Sequence, residues 1–445
     1  MYKTRRRGWV FLNKDFNEFT EENSDVVPFV NEENVTKDNS KKDPKGRSKA
    51  EILTLQAKEM FGTTKPTASQ FAYLLDMQKP SNYILRNHTI NGKPLTFEVK
   101  SGDRTQALNH RPWQVEVLNS EHPNTVVRKS RQLGFTELFM EKMLHFADTH
   151  SYDSVRALLT MTSKGQMDDN VKSRLNPQFQ NGYYSTILDK YNDSLNAKKI
   201  RNSWLYFRSS HTPGGLEGLK VDMLSLDEYD RVPKNSEASA METIASSSYR
   251  ILNRFSTPSV KGYGVEKLFS QSDQHEYMFK CNHCGFWNLL EYEEYDPSSI
   301  HAGGNIRTVN PAGVDRLAKT VVDGSFQYVC KKCGQPLDRW TAKQQYVPRY
   351  PSRTADGGGI RGYAISQLDA VWISADDIKR KELASESKQL FYNYTLGFSY
   401  ENEGLMVQPE DVYGNTYNET NPVLNRDDYR FISIGIDWGK ICPTW

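Results

Sequence analysis

From Ala50 the chain places apolar residues at helical spacing in AEILTLQAKEMFG and again in TASQFAYLLDMQ, which predicts two short amphipathic helices. Beyond Trp113 the pattern becomes short apolar runs alternating with helical ones, as in a parallel α/β sheet. Asn124 to Arg128 (NTVVR) reads as a strand, followed by a polar loop and the helical ELFMEKMLHFADTH. Arg156 to Met161 (RALLTM) reads as a buried strand and SKGQMDDNVKSRL after it as a helix. Trp204 to Arg208, Val221 to Leu226 and Tyr249 to Phe255 complete a sheet, which residues 281–333 then interrupt. GYAISQLDAVWISADDIKRKELA and the helical SKQLFYNYTLGFSY resume the pattern, and Phe431 to Ile436 (FISIGI) is a further strand. Residues 1–48 alternate charge runs with Asn, Asp, Ser and Pro without periodicity. They read as a flexible, solvated arm or as a docking arm for a partner or DNA.

At roughly 150 residues per domain, 445 residues suggest about three structural units. Lys and Arg total 57 against 55 Asp and Glu, a net charge of +2 that leaves room for a locally basic face. No stretch approaches the roughly 18 consecutive apolar residues of a membrane span. The opening MYKTRRRGWVFLNKDF is charged where a signal peptide carries its apolar core, so membrane and secreted classes are not expected. Four of the five cysteines form Cys281-x2-Cys284 and Cys330-x2-Cys333, each before a glycine and after an aromatic run (EYMFK, FQYV). Two such turns facing each other supply four thiolates for a closed, structural zinc site in a reducing compartment. The 45 residues between them exceed the usual ribbon spacing of about 15–20, which predicts an inserted loop around DPSSIHAGGN. His283 is a bystander once four sulfurs fill the shell, and Cys442 stands alone.

The segment after NTVVR is Arg128-Lys129-Ser130-Arg131-Gln132-Leu133-Gly134-Phe135-Thr136. A strand, a small polar loop and a helix suit phosphate binding, because backbone amides and the helix N-terminus face the anion and a hydroxyl can ligand Mg²⁺. Against G-x-x-x-x-G-K-[ST], Gly134 and Thr136 fit, but Phe135 occupies the lysine position and Lys129 the first glycine position. Alone, the segment also reads as an ordinary strand-to-helix loop with surface cations. Ninety-one residues on, an apolar strand delivers Asp227-Glu228 at its tip. In nucleotide hydrolases such an Asp orders the Mg²⁺ shell and the Glu polarises the attacking water. The strand Tyr249 to Phe255 ends in Ser256-Thr257-Pro258, whose tip would lie beside the phosphates. Upstream, in Arg111-Pro112-Trp113-Gln114, the Gln114 amide can read an adenine edge and Trp113 can cover an apolar flank or simply belong to the core.

KSRQLGFT, the LSLDE strand end, STP and the cysteine knuckles, in this order, resemble the large subunit of a phage terminase, the lambda-like family in particular. In that family the phosphate-loop lysine is displaced to the start of the motif and an aromatic precedes the Ser/Thr, as Lys129 and Phe135 do here. SRQLG also resembles the loop of T4-type terminases, whose matching arginine, here Arg131, is implicated in sensing the γ-phosphate. The resemblance spans about residues 100 to 440. It implies an α/β fold: a P-loop NTPase with a parallel sheet, an inserted zinc ribbon at about 277–340, and the start of a ribonuclease H-like nuclease domain. The expected organisation is an arm (1–48), a small helical region (49–100), an ATPase domain (101–428) and the first nuclease strand (429–445). Implied roles are phosphate binding by residues 129–136, Mg²⁺ binding by Thr136 and Asp227, catalysis by Glu228 and Arg131, and coupling by Ser256, Thr257 and Pro258. Structural Zn²⁺ would sit on Cys281, Cys284, Cys330 and Cys333, and Asp437 would be a first nuclease metal ligand, isolated here so that no cleavage is expected. The implied activity is ATP-driven translocation of double-stranded DNA into a procapsid, in the host cell cytoplasm at the portal. The implied partners are duplex DNA, the portal protein, the small terminase subunit and copies of the chain in a ring. Two other readings remain open: a helicase-like nucleic-acid remodelling ATPase, and a zinc-ribbon DNA-binding adaptor with an inactive nucleotide site. Whether Lys129 or Arg131 meets the γ-phosphate is also open.

Overall fold

Ser48 starts the first helix reciprocally: its Oγ accepts the Glu51 N–H while its own N–H donates to the Glu51 carboxylate. That helix, α1 (Lys49–Phe61), ends on Gly62, whose φ of +68° suits a residue without Cβ. Thr67 and Gln70 repeat the device for α2 (Ala68–Met77), and Pro80 opens α3 (Pro80–Asn87), a helix that the apolar spacing did not reveal. These helices lie against the rest of the fold. The Gln56 amide donates to the Thr149 carbonyl (2.8 Å), and the buried Tyr83 hydroxyl donates to Asp148 (2.9 Å).

The computed structural model describes residues 42–90, 92–100, 103–292 and 304–400. The chain divides into two units at Ser399/Tyr400, and every element described belongs to the first. The strand expected at Phe431 to Ile436 with Asp437, and the arm up to residue 41, lie outside the described residues.

The central sheet has eleven strands: β1 (Asn124–Lys129), β2 (Arg156–Met161), β3 (Leu188–Asp193), β4 (Ala197–Ile200), β5 (Ser203–Ser209), β6 (Met223–Asp227), β7 (Ile251–Ser256), β8 (His275–Lys280), β9 (Trp287–Leu289), β10 (Gln344–Pro348) and β11 (Arg361–Ile365). Seven run parallel in the order β8-β11-β1-β7-β6-β2-β5. Antiparallel β4 and β3 extend the β5 edge, while β9 and β10 pair antiparallel with β8. Beyond α3 the described residues form α4 (Trp113–Asn119), α5 (Phe135–Thr149), α6 (Lys164–Asn170), α7 (Lys234–Ile244), α8 (Gly264–Gln271), α9 (Ala375–Ala384) and the short α10 (Lys388–Phe391), with two further five-residue helices at Asn176–Gln180 and Tyr183–Ile187.

β1, β2, β6 and β7 are buried almost throughout, as central parallel strands covered on both faces should be. Alternation along β2 shows why: Ala157, Leu159 and Met161 join the large core with α5, while Leu158 joins Leu224, Leu226 and the α7 residues Ala240 and Ile244. Phe139 of α5 stacks on Phe255 of β7 at 4.2 Å between ring centroids, fixing the helix against the sheet. The segment expected as one helix at SKQLFYNYTLGFSY is α10 continued by a wider π-turn at Tyr392–Leu396, closed by Gly397 at φ +69°. The cysteine region grows from the sheet itself, because β8 pairs with β11 and leads directly into Cys281.

Candidate nucleotide site and cysteine cluster

Ligands of open parallel sheets bind at the C-terminal strand ends, and here β1, β7 and β6 end side by side with β7 between the other two. β1 closes with Lys129, and residues 130–134 turn into α5. Leu133 and Phe135 are both 1% exposed and anchor the loop in the core. Phe135 is packed in the large core, so the lysine position of the usual motif has become a packing position. Gly134 takes φ +81°, and a Cβ there would lie 2.1 Å from Arg111 Nη1 and 2.8 Å from Gln114 Nε2, so only glycine fits. Gln132 is also left-handed, at φ +63°.

Four side chains, from the tips of β1 and β6 and from the first turn of α5, converge. Lys129, 6% exposed, places Nζ 3.3 Å from Glu228 Oε1. Thr136 Oγ1 donates to Asp227 Oδ2 at 2.7 Å. Burial raises the Asp227 carboxyl to about 6, against the pull of Lys129. Glu228 sits at φ +49°, ψ +46°, a strained conformation for a non-glycine residue, and its N–H donates to Asp227 Oδ1 at 2.8 Å. Ser256 ends β7, Thr257 follows it, and both are buried. Ser256 Oγ donates to the Thr257 carbonyl, while Thr257 Oγ1 and Ser130 Oγ are buried without a hydrogen-bond partner among the described residues. Pro258 is buried beside them.

The expected Arg131 is placed differently from Lys129. Its guanidinium lies 3.4 Å from the centroid of the Tyr394 ring, its N–H donates to the Tyr394 carbonyl (2.9 Å), and its own carbonyl accepts from the Gln367 amide (3.1 Å). The Ser130 N–H is likewise taken by the Ile365 carbonyl (3.1 Å). Trp113 lies in the core, 1% exposed, near Tyr277 and Trp372. Gln114 donates its amide to the carbonyls of Leu133 (3.2 Å) and Gly134 (3.3 Å), bracing the loop. Arg111, to which the motifs gave no role, stacks on Trp372 at 5.1 Å, and burial lowers its pKa. Its only sequence signal was a cation just ahead of Gln114.

The four cysteines meet as their spacing suggested. Cys281 Sγ lies 3.8 Å from Cys333 Sγ, Cys284 Sγ 3.7 Å from Cys330 Sγ, and all four sulfurs fall within 4.8 Å of one another. Sulfurs about 2.3 Å from a common tetrahedral centre are about 3.8 Å apart. Gly285 (φ +74°) and Gly334 (φ +69°) close matching turns by donating to the Cys281 and Cys330 carbonyls, each at 2.9 Å. The buried Asn288 donates to Cys330 Sγ at 3.6 Å, a polar support that the sequence did not single out.

Residues 105–346, more than half of the chain, match the family described as phage terminase large subunit gpA, ATPase domain. No match is found among curated proteins. Among solved structures, the large terminase ATPase domain of Thermus phage P74-26 is 12% identical with a TM-score of 0.38, over 68% of this chain and 100% of that one. The large terminase of a thermophilic bacteriophage in complex with ADP is 10% identical with a TM-score of 0.35, over 64% of this chain and 52% of that one. The HK97 bacteriophage large terminase is 14% identical with a TM-score of 0.33, over 43% of this chain and 40% of that one.

Proposed function

Because the chain belongs to the phage terminase large subunit gpA ATPase-domain family, we propose that it is the ATP-hydrolysing subunit of a motor that drives double-stranded DNA into a procapsid. The observation that carries the reading is the convergence of Lys129 and Thr136 with Asp227 and Glu228 across the tip of β7. Lys129 is the cation best placed to leave Glu228 for a phosphate when ATP enters the loop 129–136. Glu228, freed from that pair, is the carboxylate that would orient the attacking water. The Thr136 hydroxyl and the Asp227 carboxylate are the hard oxygen donors that fit Mg²⁺, which when bound would neutralise phosphate charge. Gln114 and Arg111 would shape the nucleoside side of the loop, and Ser256-Thr257-Pro258 would carry the change at the strand tips toward the DNA-handling surface.

The four-thiolate cluster fits structural Zn²⁺, which would lock β8 and β9 to the hairpin of Ile306–Thr308 and Phe326–Tyr328 that leads into Cys330. Portal protein, small terminase subunit and a ring of identical chains in the host cytoplasm complete the proposal, by family likeness.

The test is ATP turnover with and without linear duplex DNA, for the chain and for Glu228→Gln. DNA-stimulated turnover that falls by about 10²–10⁴-fold in the variant is expected for loss of a water-orienting carboxylate. Equal turnover in the two proteins would overturn the assignment of Glu228. Strand displacement on a forked duplex would instead favour a helicase-like remodeller.

A further inference from the structure

Two residues past Glu228, a carboxylate joins the site to the rest of the molecule. Asp230 Oδ2 accepts from both the N–H (2.9 Å) and the Oγ–H (2.8 Å) of Ser259, the residue after Ser256-Thr257-Pro258. Its Oδ1 accepts from the Val265 N–H at 2.8 Å, in the first turn of α8. Gly264 sits on the carboxylate so closely that a Cβ would fall 2.2 Å from Oδ1. The chain of contacts continues: the Ser259 carbonyl accepts from Asn393 Nδ2 (2.9 Å), and the neighbouring Tyr394 holds the Arg131 N–H and stacks on its guanidinium. The hydrogen bonds thus run from the tip of β6 through the loop after β7 to the π-turn, and return to the phosphate loop.

We infer that Asp230 is a positioning residue that transmits nucleotide occupancy from the β6 tip to the Ser256-Thr257-Pro258 loop and on to the π-turn at Tyr392–Leu396. The inference rests on the ATP-motor reading above and names its coupling path. Glu228 is strained and held by Lys129, and the Arg231 N–H donates to its carbonyl at 2.8 Å, making 228–231 one tight turn. When Lys129 exchanges Glu228 for a phosphate, the turn is released as a unit and Asp230 moves with it. Ser259 and α8 follow, because all three donors are bound to a single carboxylate. A π-turn is a place where a helix holds an extra residue and can change register at low cost, which makes Tyr392–Leu396 a suitable receiver.

The experiment is amide hydrogen exchange on the full chain, with Mg²⁺ and a non-hydrolysable ATP analogue, for wild type and Asp230→Asn. The variant keeps the size of the side chain but turns one of the two acceptor oxygens into an N–H₂, so it cannot hold the Ser259 and Val265 donors together. In wild type the analogue should shift exchange by about tenfold at 130–136, at Ser259 and at 392–396, the factor that about 1.4 kcal/mol of protection gives. In Asp230→Asn the analogue should bind with the same affinity and still protect 130–136, while the shifts at Ser259 and 392–396 are lost. Should the variant fail to fold, Asn393→Ala cuts the far link instead: it should keep the shift at Ser259 and lose it at 392–396. An unchanged shift at 392–396 in both variants, or none there in wild type with analogue bound, overturns the inference. A wild-type chain that binds no nucleotide overturns the ATP reading itself, a different and recognisable result.

Discussion

Truncating Lys129 and Arg131 separately to alanine asks which cation serves the γ-phosphate. The Lys129 side chain is 8% exposed and the partner Glu228 side chain 20%, at 3.3 Å. Arg131 instead holds its guanidinium over the Tyr394 ring, 3.4 Å from the centroid. Removing one member of a desolvated charge contact costs about 2–5 kcal/mol, which is about thirtyfold to several thousandfold in affinity. Removing a stacked cation costs about 0.5–2 kcal/mol. Lys129→Ala should therefore weaken an ATP analogue by at least about thirtyfold, weaken ADP less, and abolish turnover. Arg131→Ala should cost no more than about thirtyfold in binding and lower thermal stability slightly. Lys129→Arg should not rescue, because a planar fork cannot replace a point charge in so enclosed a site. Calorimetric titration with the analogue and with ADP reads both affinities. If Arg131→Ala lost the γ-phosphate preference while Lys129→Ala kept it, Arg131 and not Lys129 would be the γ-phosphate cation.

The chain as purified from zinc-replete cells should carry one tightly held zinc per copy. Cys330→Ser should reduce that stoichiometry, and cobalt in its place should give the absorption of a tetrahedral thiolate site; metal-free protein with an intact, protease-resistant 281–333 segment would count against the site. Gly134→Ala must hold a Cβ at φ +81° and within 2.1 Å of Arg111 Nη1. The backbone term alone is about 1–2 kcal/mol, so a lower melting temperature and weaker nucleotide binding are expected, and an unchanged value of both would show that the loop is free to relax. Acid stability follows from burial in α5 and the residue after it, which lowers His145 to about 3 and His150 to about 4. Their unfolded-state pKa is about 6.5, so the unfolded chain binds more protons below that pH. Their contribution is present above about 6.5 and is lost as pH falls toward 4, at up to about 1.4 kcal/mol per unit for each. Urea midpoints at pH 7, 5.5 and 4.5 should therefore fall steeply, and His145→Gln should flatten the slope; equal slopes would exclude this origin.

How much was legible follows from what kind of signal each part leaves. β1, β2, β5, β6 and β7 were readable because central parallel strands are continuous apolar runs, and the structure moves their ends by one or two residues. The knuckles were readable because two cysteines and a left-handed glycine fall within five residues of chain. The edge ribbon β3–β4 was not, since its burial pattern is mixed and Lys, Asp and Asn dominate it. Nor was the π-turn, whose register shift leaves no trace in apolar spacing. Asp230 and Asn393 escaped for another reason. Each acts through partners tens to more than a hundred residues away, and an Asp after DE in a loop looks like solvated charge until Ser259 and Val265 are brought to it.

The exchange of lysine and aromatic between the two ends of the phosphate loop has a geometric cause that joins these observations. A residue that opens α5 can face either the anion or the sheet, and Phe135 faces the sheet, where it is 1% exposed. That orientation deprives the helix N-terminus of a side-chain cation. The last residue of β1 can supply one, because β7 alone separates it from β6 and a lysine stem reaches across to Glu228 at 3.3 Å. The cation is thus paired to the carboxylate that, on the proposed function, it would later release. On the proposed function, a motif with the lysine at its start would couple the filling of the loop to the freeing of Glu228. On this geometry, restoring a lysine at 135 in a Lys129→Ala background should not rescue turnover, since the new side chain would have to leave the core to reach the site.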